Sequence, residues 1–120
     1  MKARILTPLL VEILDDERVR LVAPFVVLID GERLEVPIGF VSDLASVPRI
    51  PFFYWLAGGK AKIPAVFHDW AYKVARKARA WCDQAFGALC ELTKLASWRR
   101  SLMYAGVRAF GASHYGKAST

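Results

Sequence analysis

The sequence is poor in cysteine and lacks long apolar runs, and both absences narrow the class of protein. Of its 120 residues 55% are hydrophobic, so we expect one domain with a sizeable core. No apolar stretch approaches the roughly 18 residues that a membrane-spanning helix needs. Its two cysteines, Cys82 and Cys90, fall in one predicted helix about 12 Å apart. That separation is too long for a disulfide, which predicts free thiols.

Signals for export, zinc binding and phosphate binding are lacking as well. Acidic residues closely follow the short apolar start, which argues against a signal peptide. The cysteines and His68 do not have the spacing of a zinc site. Neither a Gly-x-x-x-x-Gly-Lys-Ser/Thr loop nor a Gly-x-Ser-x-Gly elbow occurs. Free thiols favour a reducing compartment such as the cytoplasm.

Positive charge is concentrated in the second half of the chain. The net charge is +6, yet seven of the eleven acidic residues lie within the first 35 positions. This asymmetry predicts a basic helical face that contacts nucleic acid or another anionic surface, although a solvated helix exterior explains it equally well. No helix-turn-helix or other nucleic-acid-binding motif accompanies it. The basic residues in question are Lys73, Arg76, Lys77, Arg79, Arg99 and Arg100.

The order of the hydrophobic patterns predicts an α+β fold, with a small antiparallel sheet followed by about three packed helices. Residues 1–45 are expected to be mainly β, and Asp30-Gly31 marks a hairpin turn. Residues 62–112 show helical spacing of apolar residues and are expected to be mainly α. Residues 113–120 are expected to form a loose tail of the same single domain, 1–120.

A His-Asp-x-x-Tyr sequence in the first predicted helix is the strongest chemical signal. His68 and Tyr72 lie one turn apart on the same helix face, whereas Asp69 points about 100° away from His68. A histidine base works best when a carboxylate holds its other ring nitrogen. Asp83, near the start of the next helix, is predicted to supply that carboxylate, with His68, Tyr72 or Arg76 as its partners. The same residues also fit a hydrogen-bonded cluster that only joins two helices.

A second polar group follows the last predicted strand. Asp43 is predicted to ligate a hard cation, to cap a turn or to pair with Arg49. Ser46 fits a nucleophile only if a base reaches it, and a turn role is favoured for it. Asp43, Ser46, Arg49 and Tyr72 are therefore the candidate binding residues beside the catalytic candidates.

Ordered motifs across most of the chain resemble a small uncharacterised family encoded by tailed phages and prophages, catalogued only as a domain of unknown function. One motif is the run Gly39–Arg49, with the pattern Gly-Phe-x-Ser/Thr-Asp-x-Ala-Ser-x-Pro, and another is His-Asp-x-x-Tyr. Asp83 and the segment Met103–Gly111 complete the likeness. The resemblance implies a phage or prophage protein of the host cytoplasm or the virion, with other phage proteins as partners. It implies no established activity.

A second and local resemblance concerns the two helices that carry His68 and Asp83. They are similar to the catalytic helix pair of the secretory phospholipases and their parvoviral capsid relatives. By this likeness His68 activates a water, Asp69 holds calcium and Asp83 orients His68. The glycine-rich calcium loop and the disulfides of that family are missing, so lipase activity is not implied.

Two functions therefore remain open. One is a hydrolase that uses His68 as base and Asp83 as its support, with Asp69 and Asp43 at a divalent cation such as calcium. The other is a non-catalytic tail or neck component of a virion, in which the His/Asp cluster is a buried network.

Overall fold

A computed structural model of the chain describes residues 1–15, 18–43, 62–93, 97–113 and 115–116. These residues form two small antiparallel sheets followed by three helices, which confirms the predicted α+β class. Among them, no helix is both long and apolar enough to cross a membrane. The elements are β1 (Ala3–Ile5), β2 (Val11–Ile13), β3 (Val19–Leu21), β4 (Phe25–Ile29), β5 (Glu32–Val36), β6 (Val41–Ser42), α1 (Lys62–Val74), α2 (Arg79–Leu92), α3 (Ser97–Phe110) and a short 3₁₀ helix (Gly111–Ser113).

The strands pair in the orders β1-β4-β5 and β2-β3-β6, so the single sheet expected from the sequence is divided into two. Strand β1 was not predicted, because three residues are too few to show an alternating pattern. The predicted hairpin turn between β4 and β5 is confirmed. Asp30 and Gly31 have φ values of 48° and 85°, the left-handed conformation that a two-residue type I′ turn requires at both positions.

The core lies between the sheets and the two helices α1 and α2. Phe25, Val27 and Ile29 alternate along β4 and are fully buried. Helix α1 is buried over nine consecutive residues, from Pro64 to Tyr72. A helix surrounded by protein on every side is expected to be apolar all round. His68 and Asp69 interrupt this apolar helix, and each must find compensating polar contacts.

Helix boundaries bring the polar residues of three helices together. Helix α1 ends at Val74, and Ala75 takes a left-handed φ of 49° directly after it. Helix α2 begins at Arg79, so only four residues separate it from α1. Helix α2 packs against both α1 and α3.

The loose tail expected after residue 113 stays a prediction, and two of its residues, Tyr115 and Gly116, make contacts in the structure. The hydroxyl of Tyr115 donates a hydrogen bond to the Lys77 carbonyl at 2.7 Å. The backbone N–H of Gly116 donates to the Tyr72 carbonyl at 2.8 Å. The chain after α3 therefore returns to the end of α1, where an aromatic contact between Tyr72 and Tyr115 adds to the packing.

Candidate functional site

His68 and Asp83 form a fully buried pair between α1 and α2. His68 Nε2 lies 2.7 Å from Asp83 Oδ1, and both residues are 0% exposed. His68 is at the centre of the buried stretch of α1, and Asp83 is one turn into α2 on the face that packs against α1. The predicted contact between the imidazole and the carboxylate is confirmed.

Asp83 receives further donors at both of its oxygens. The Tyr72 hydroxyl donates to Oδ1 at 2.5 Å, as expected from its position one turn after His68. Arg108, on α3, donates from Nη1 to Oδ2 at 2.8 Å. Arg76, the cationic partner suggested by the sequence, is instead exposed in the segment between α1 and α2. The guanidinium that hydrogen-bonds to Asp83 therefore comes from a third helix.

Arg79 ties this arrangement to the end of α3. Its Nη1 and Nη2 donate to the carbonyls of Val107 and Arg108 at 3.1 and 2.9 Å. Nη1 also lies 3.8 Å from Asp83 Oδ2. Both carbonyls lie in the last turn of α3, where arginine and lysine side chains commonly donate to helix carbonyls.

The surroundings fix the charge state of the pair. Burial lowers the pKa of His68 below its ordinary value, although the hydrogen bond to Asp83 opposes the shift. Burial alone would raise the pKa of Asp83, but hydrogen bonds from His68, Tyr72 and Arg108 outweigh it and leave that pKa lowered. At neutral pH the pair is therefore a neutral imidazole and an ionised carboxylate. Since an ionised carboxylate only accepts, the ring must carry its hydrogen on Nε2.

This tautomer leaves a lone pair on Nδ1 of His68. Nδ1 is buried and has no hydrogen-bond partner within the described part of the chain. Buried polar atoms are nearly always paired, and leaving one unpaired costs about 1–3 kcal/mol. An unpaired nitrogen lone pair beside a carboxylate-held N–H is the arrangement that accepts a proton from a small molecule.

Asp69 belongs to a separate polar contact on the other side of α1. Its Oδ2 accepts hydrogen bonds from Ser42 Oγ at 2.8 Å, from the Asp43 backbone N–H at 3.3 Å and from Lys73 Nζ at 3.2 Å. Burial raises the pKa of Asp69, and the Asp43 charge adds to the shift, while Lys73 and Ser42 oppose it. These contacts attach α1 to β6, and they place the Asp69 carboxylate against the backbone of Asp43.

The contacts of Asp69 do not favour a resident cation. Lys73 already places an ammonium group 3.2 Å from Oδ2, where a metal ion would supply the same charge. Across the described residues, no group of three or more His, Cys, Asp or Glu side chains is arranged to hold a metal ion. The calcium predicted at Asp69 and Asp43 stays a prediction, because residues 44–61, which follow Asp43, lie outside the described residues.

Two candidate binding residues, Ser46 and Arg49, lie outside the described residues, so their predicted roles stay predictions. The predicted basic face is partly used within the molecule. Lys73 pairs with Asp69, Lys77 pairs with Glu32 at 2.6 Å, and Arg79 is directed at α3. Arg76 is exposed, and the side chains of Arg99 and Arg100 lie outside the described ones. Contact with nucleic acid or an anionic surface through these residues stays a prediction.

The prediction that the two cysteines form no disulfide is confirmed. Both Cys82 and Cys90 are thiols, and both are buried in α2. Burial raises the pKa of Cys82 to about 11, and the Asp83 charge contributes to the shift. At neutral pH its sulfur is therefore a thiol rather than a nucleophilic thiolate.

Sequence reasoning did not identify Arg108 and Gly111 as parts of the site. Arg108 is the one charged residue of the segment Met103–Phe110. A single charge in an otherwise uncharged helix segment was the sequence feature that could have identified it. Gly111 follows α3 directly, and a Cβ at this position would lie 2.7 Å from the Tyr72 hydroxyl. The close approach of the backbone to Tyr72 therefore requires glycine.

Comparison with known proteins places the chain in a family. No curated protein and no solved structure matches it. A family model described as "Protein of unknown function (DUF1353)" matches residues 19–107. The matched region includes His68, Asp69, Tyr72 and Asp83, and it ends one residue before Arg108. Because the match covers well over half of the sequence, the chain belongs to this family of proteins of unknown function, DUF1353.

Proposed function

We propose that this protein is a phage or prophage hydrolase in which Nδ1 of His68 is the general base. The observation that carries the proposal is the state of one ring, whose Nε2 is held by Asp83 while the buried Nδ1 has no partner in the described part of the chain. A histidine that only joins two helices would be expected to have both ring nitrogens paired. The phage context is supported by the motif resemblance alone.

The reaction proposed for this site is hydrolysis by an activated water. A water at Nδ1 gives one proton to the ring while its oxygen attacks an electrophilic carbonyl or phosphoryl centre. The resulting imidazolium is stabilised by Asp83, 2.7 Å from Nε2, and it later returns the proton to the leaving group. Tyr72 and Arg108 keep Asp83 ionised and in place. No cation is needed in these steps.

Access to Nδ1 is the condition on which this function depends, because His68 is 0% exposed. Diethyl pyrocarbonate, which reacts with neutral imidazole, tests this access when the modified residue is located by mass spectrometry. The proposal predicts modification of His68 in the folded protein, with His114 as the second histidine for comparison. A folded protein in which His68 resists the reagent under conditions that modify a free imidazole would contradict it.

Activity is tested by screening chromogenic carboxyl and phosphate esters with purified protein. His68→Gln and Asp83→Asn should each abolish any turnover that the unmodified protein shows. Glu12→Gln is the matched control, because Glu12 forms an exposed ion pair with Arg20 far from the site in sequence. Turnover that survives both site substitutions in folded protein would remove His68 from the reaction.

A second function, a non-catalytic component of a phage tail or neck, is favoured by one observation. His68, Tyr72 and Asp83 are all 0% exposed, and with Arg108 they connect all three described helices. Mass spectrometry of purified particles tests this function. A stoichiometric presence of the chain supports it, whereas absence from mature particles contradicts it.

A further inference from the structure

Asp83 Oδ1 and Oδ2 are held from different directions. Both α1 donors, His68 Nε2 and the Tyr72 hydroxyl, converge on Oδ1 at 2.7 and 2.5 Å. Rotation of the carboxylate about its Cβ–Cγ bond would displace both oxygens, so these two donors already oppose it. Arg108 Nη1 donates to Oδ2 at 2.8 Å and adds the contact that fixes the second oxygen.

Arg108 is in turn fixed through the backbone that carries it. Arg79 donates to the carbonyls of Val107 and Arg108, at 3.1 and 2.9 Å, and so holds the last turn of α3 against the start of α2. Arg79 is four residues before Asp83 in α2, which places both on one helix face. The Arg79 side chain is 23% exposed and that of Arg108 is 37% exposed, whereas Asp83 is fully buried. The two arginines therefore close the outer side of the site.

We propose that Arg108 is the positioning residue of the His68–Asp83 pair and that Arg79 positions Arg108 by clamping the end of α3. The proposal rests on the proposed function, since it assigns these arginines to the base and not to the substrate. Neither arginine contacts Nδ1, the atom that would accept the proton. Their contribution is the orientation of Asp83 and, through it, the orientation of the imidazole ring.

The exchange of the His68 Nε2 hydrogen with solvent tests this assignment. All proteins carry His114→Gln, so that His68 is the only imidazole in the spectrum. Proton NMR at one fixed pH gives the chemical shift of the Nε2 hydrogen and its exchange rate. Backbone amides of α1, recorded in the same sample, report the general opening of the helix.

Arg108→Met removes the charge and the donors of this side chain while keeping an unbranched stem. We expect it to move the Nε2 hydrogen upfield and to raise its exchange rate at least about tenfold more than that of the α1 amides, as for the loss of one charge-assisted hydrogen bond. Arg79→Met should have a smaller effect in the same direction. Arg33→Met is the control, because Arg33 pairs with Glu35 at 3.2 Å on an exposed strand, and it should change neither quantity.

An unchanged chemical shift and exchange rate in folded Arg108→Met would overturn the assignment. If that variant does not fold, Arg108→Lys decides, because lysine keeps the charge but not the geometry of the guanidinium. An exchange rate about two- to threefold above the parent supports the assignment, and a rate equal to the parent overturns it.

Diethyl pyrocarbonate modification of the same variants separates this assignment from the proposed function. If His68 is unreactive in every variant while the Nε2 hydrogen responds to Arg108, the hydrolase proposal fails and the positioning role stands. If His68 is reactive but the chemical shift and exchange rate of the Nε2 hydrogen do not change in the Arg108 variants, the positioning role fails and the hydrolase proposal stands.

Discussion

Replacement of Gly111 by alanine tests the geometry around Tyr72 most severely. A Cβ at this position would lie 2.7 Å from the Tyr72 hydroxyl oxygen and 3.2 and 3.3 Å from two ring carbons. Real Cβ atoms do not approach neighbours at the shortest of these distances. Tyr72 is fully buried and cannot swing into solvent, so the ring must shift and its hydrogen bond to Asp83 must lengthen.

The cost has two parts. Forcing one methyl group into a packed core costs about 1–3 kcal/mol. Weakening the charge-assisted hydrogen bond between Tyr72 and Asp83 adds up to about 1.5–3 kcal/mol. We therefore expect Gly111→Ala to lower the free energy of unfolding by about 2–4 kcal/mol. For a domain of 120 residues each kcal/mol corresponds to roughly 4 °C in melting temperature.

Gly87→Ala is the matched control, because the same methyl group is added within α2. Among the described residues, its Cβ would meet only the Tyr104 Cδ2 atom, at an ordinary contact distance of 3.8 Å. Alanine in a helix interior is more favourable than glycine by roughly 0.5–1 kcal/mol, so this variant should be stabilised. Glycine-to-alanine substitution is thus expected to lower the free energy of unfolding at position 111 and to raise it at position 87.

Urea denaturation of both variants, and of Gly111→Ala combined with Tyr72→Phe, completes the test. Since phenylalanine lacks the oxygen at 2.7 Å, the cost of Gly111→Ala should fall by at least about half in the Tyr72→Phe background. A Gly111→Ala protein within about 0.5 kcal/mol of the parent would refute the packing described for Tyr72. An equal cost of Gly111→Ala in the parent and in the Tyr72→Phe background would refute it as well.

Three further predictions concern charge and protonation. Burial lowers the pKa of His68, so below about pH 6.5 the unfolded chain binds a proton that the folded chain does not. The free energy of unfolding should therefore fall as the pH decreases from 7 to 5, by up to about 1.4 kcal/mol per pH unit. Urea titrations at several pH values should show a smaller dependence on pH in His68→Gln, and an equal dependence would contradict this. Asp83→Asn removes the negative charge and replaces one of the two acceptor oxygens with an NH₂ donor, and it should cost about 3–5 kcal/mol in the same assay, against at most about 1 kcal/mol for the exposed Glu12→Gln; similar small losses for both would contradict the buried network. Burial raises the pKa of Cys82 to about 11, so Ellman's reagent should label it slowly in folded protein and rapidly in urea, and fast labelling of the folded form would be inconsistent with its burial.

The contact between His68 and Asp83 could be predicted because local rules determine it. The spacing of His68 and Tyr72 places both on one helix face, and Asp83 stands in an apolar stretch where a carboxylate needs partners. The choice of Arg76 as a partner failed at the helix boundary. Because α2 begins at Arg79, Arg79 lies one helical turn before Asp83, whereas Arg76 lies in the segment before the helix.

Contacts between distant segments could not be predicted in the same way. Arg108 is separated from Asp83 by 25 residues, and no local pattern specifies that α3 turns this side chain toward α2. The role of Asp69 depends likewise on Ser42, which lies 27 residues earlier in the chain. The sequence suggested a cation at Asp69 and Asp43. In the structure Lys73, one turn after Asp69 in α1, places a positive charge beside the Asp69 carboxylate.

The central claim is that His68 is a neutral imidazole with its hydrogen on Nε2 and an available lone pair on Nδ1. Nitrogen-15 NMR of labelled protein carrying His114→Gln tests it most directly, because the shifts of the two ring nitrogens distinguish both tautomers and the imidazolium. At pH 7 we expect a protonated Nε2 and an unprotonated Nδ1, and because the pKa is lowered, the imidazolium should form at a lower pH than in an ordinary histidine. A hydrogen on Nδ1, or a charged ring at pH 7, would contradict the claim.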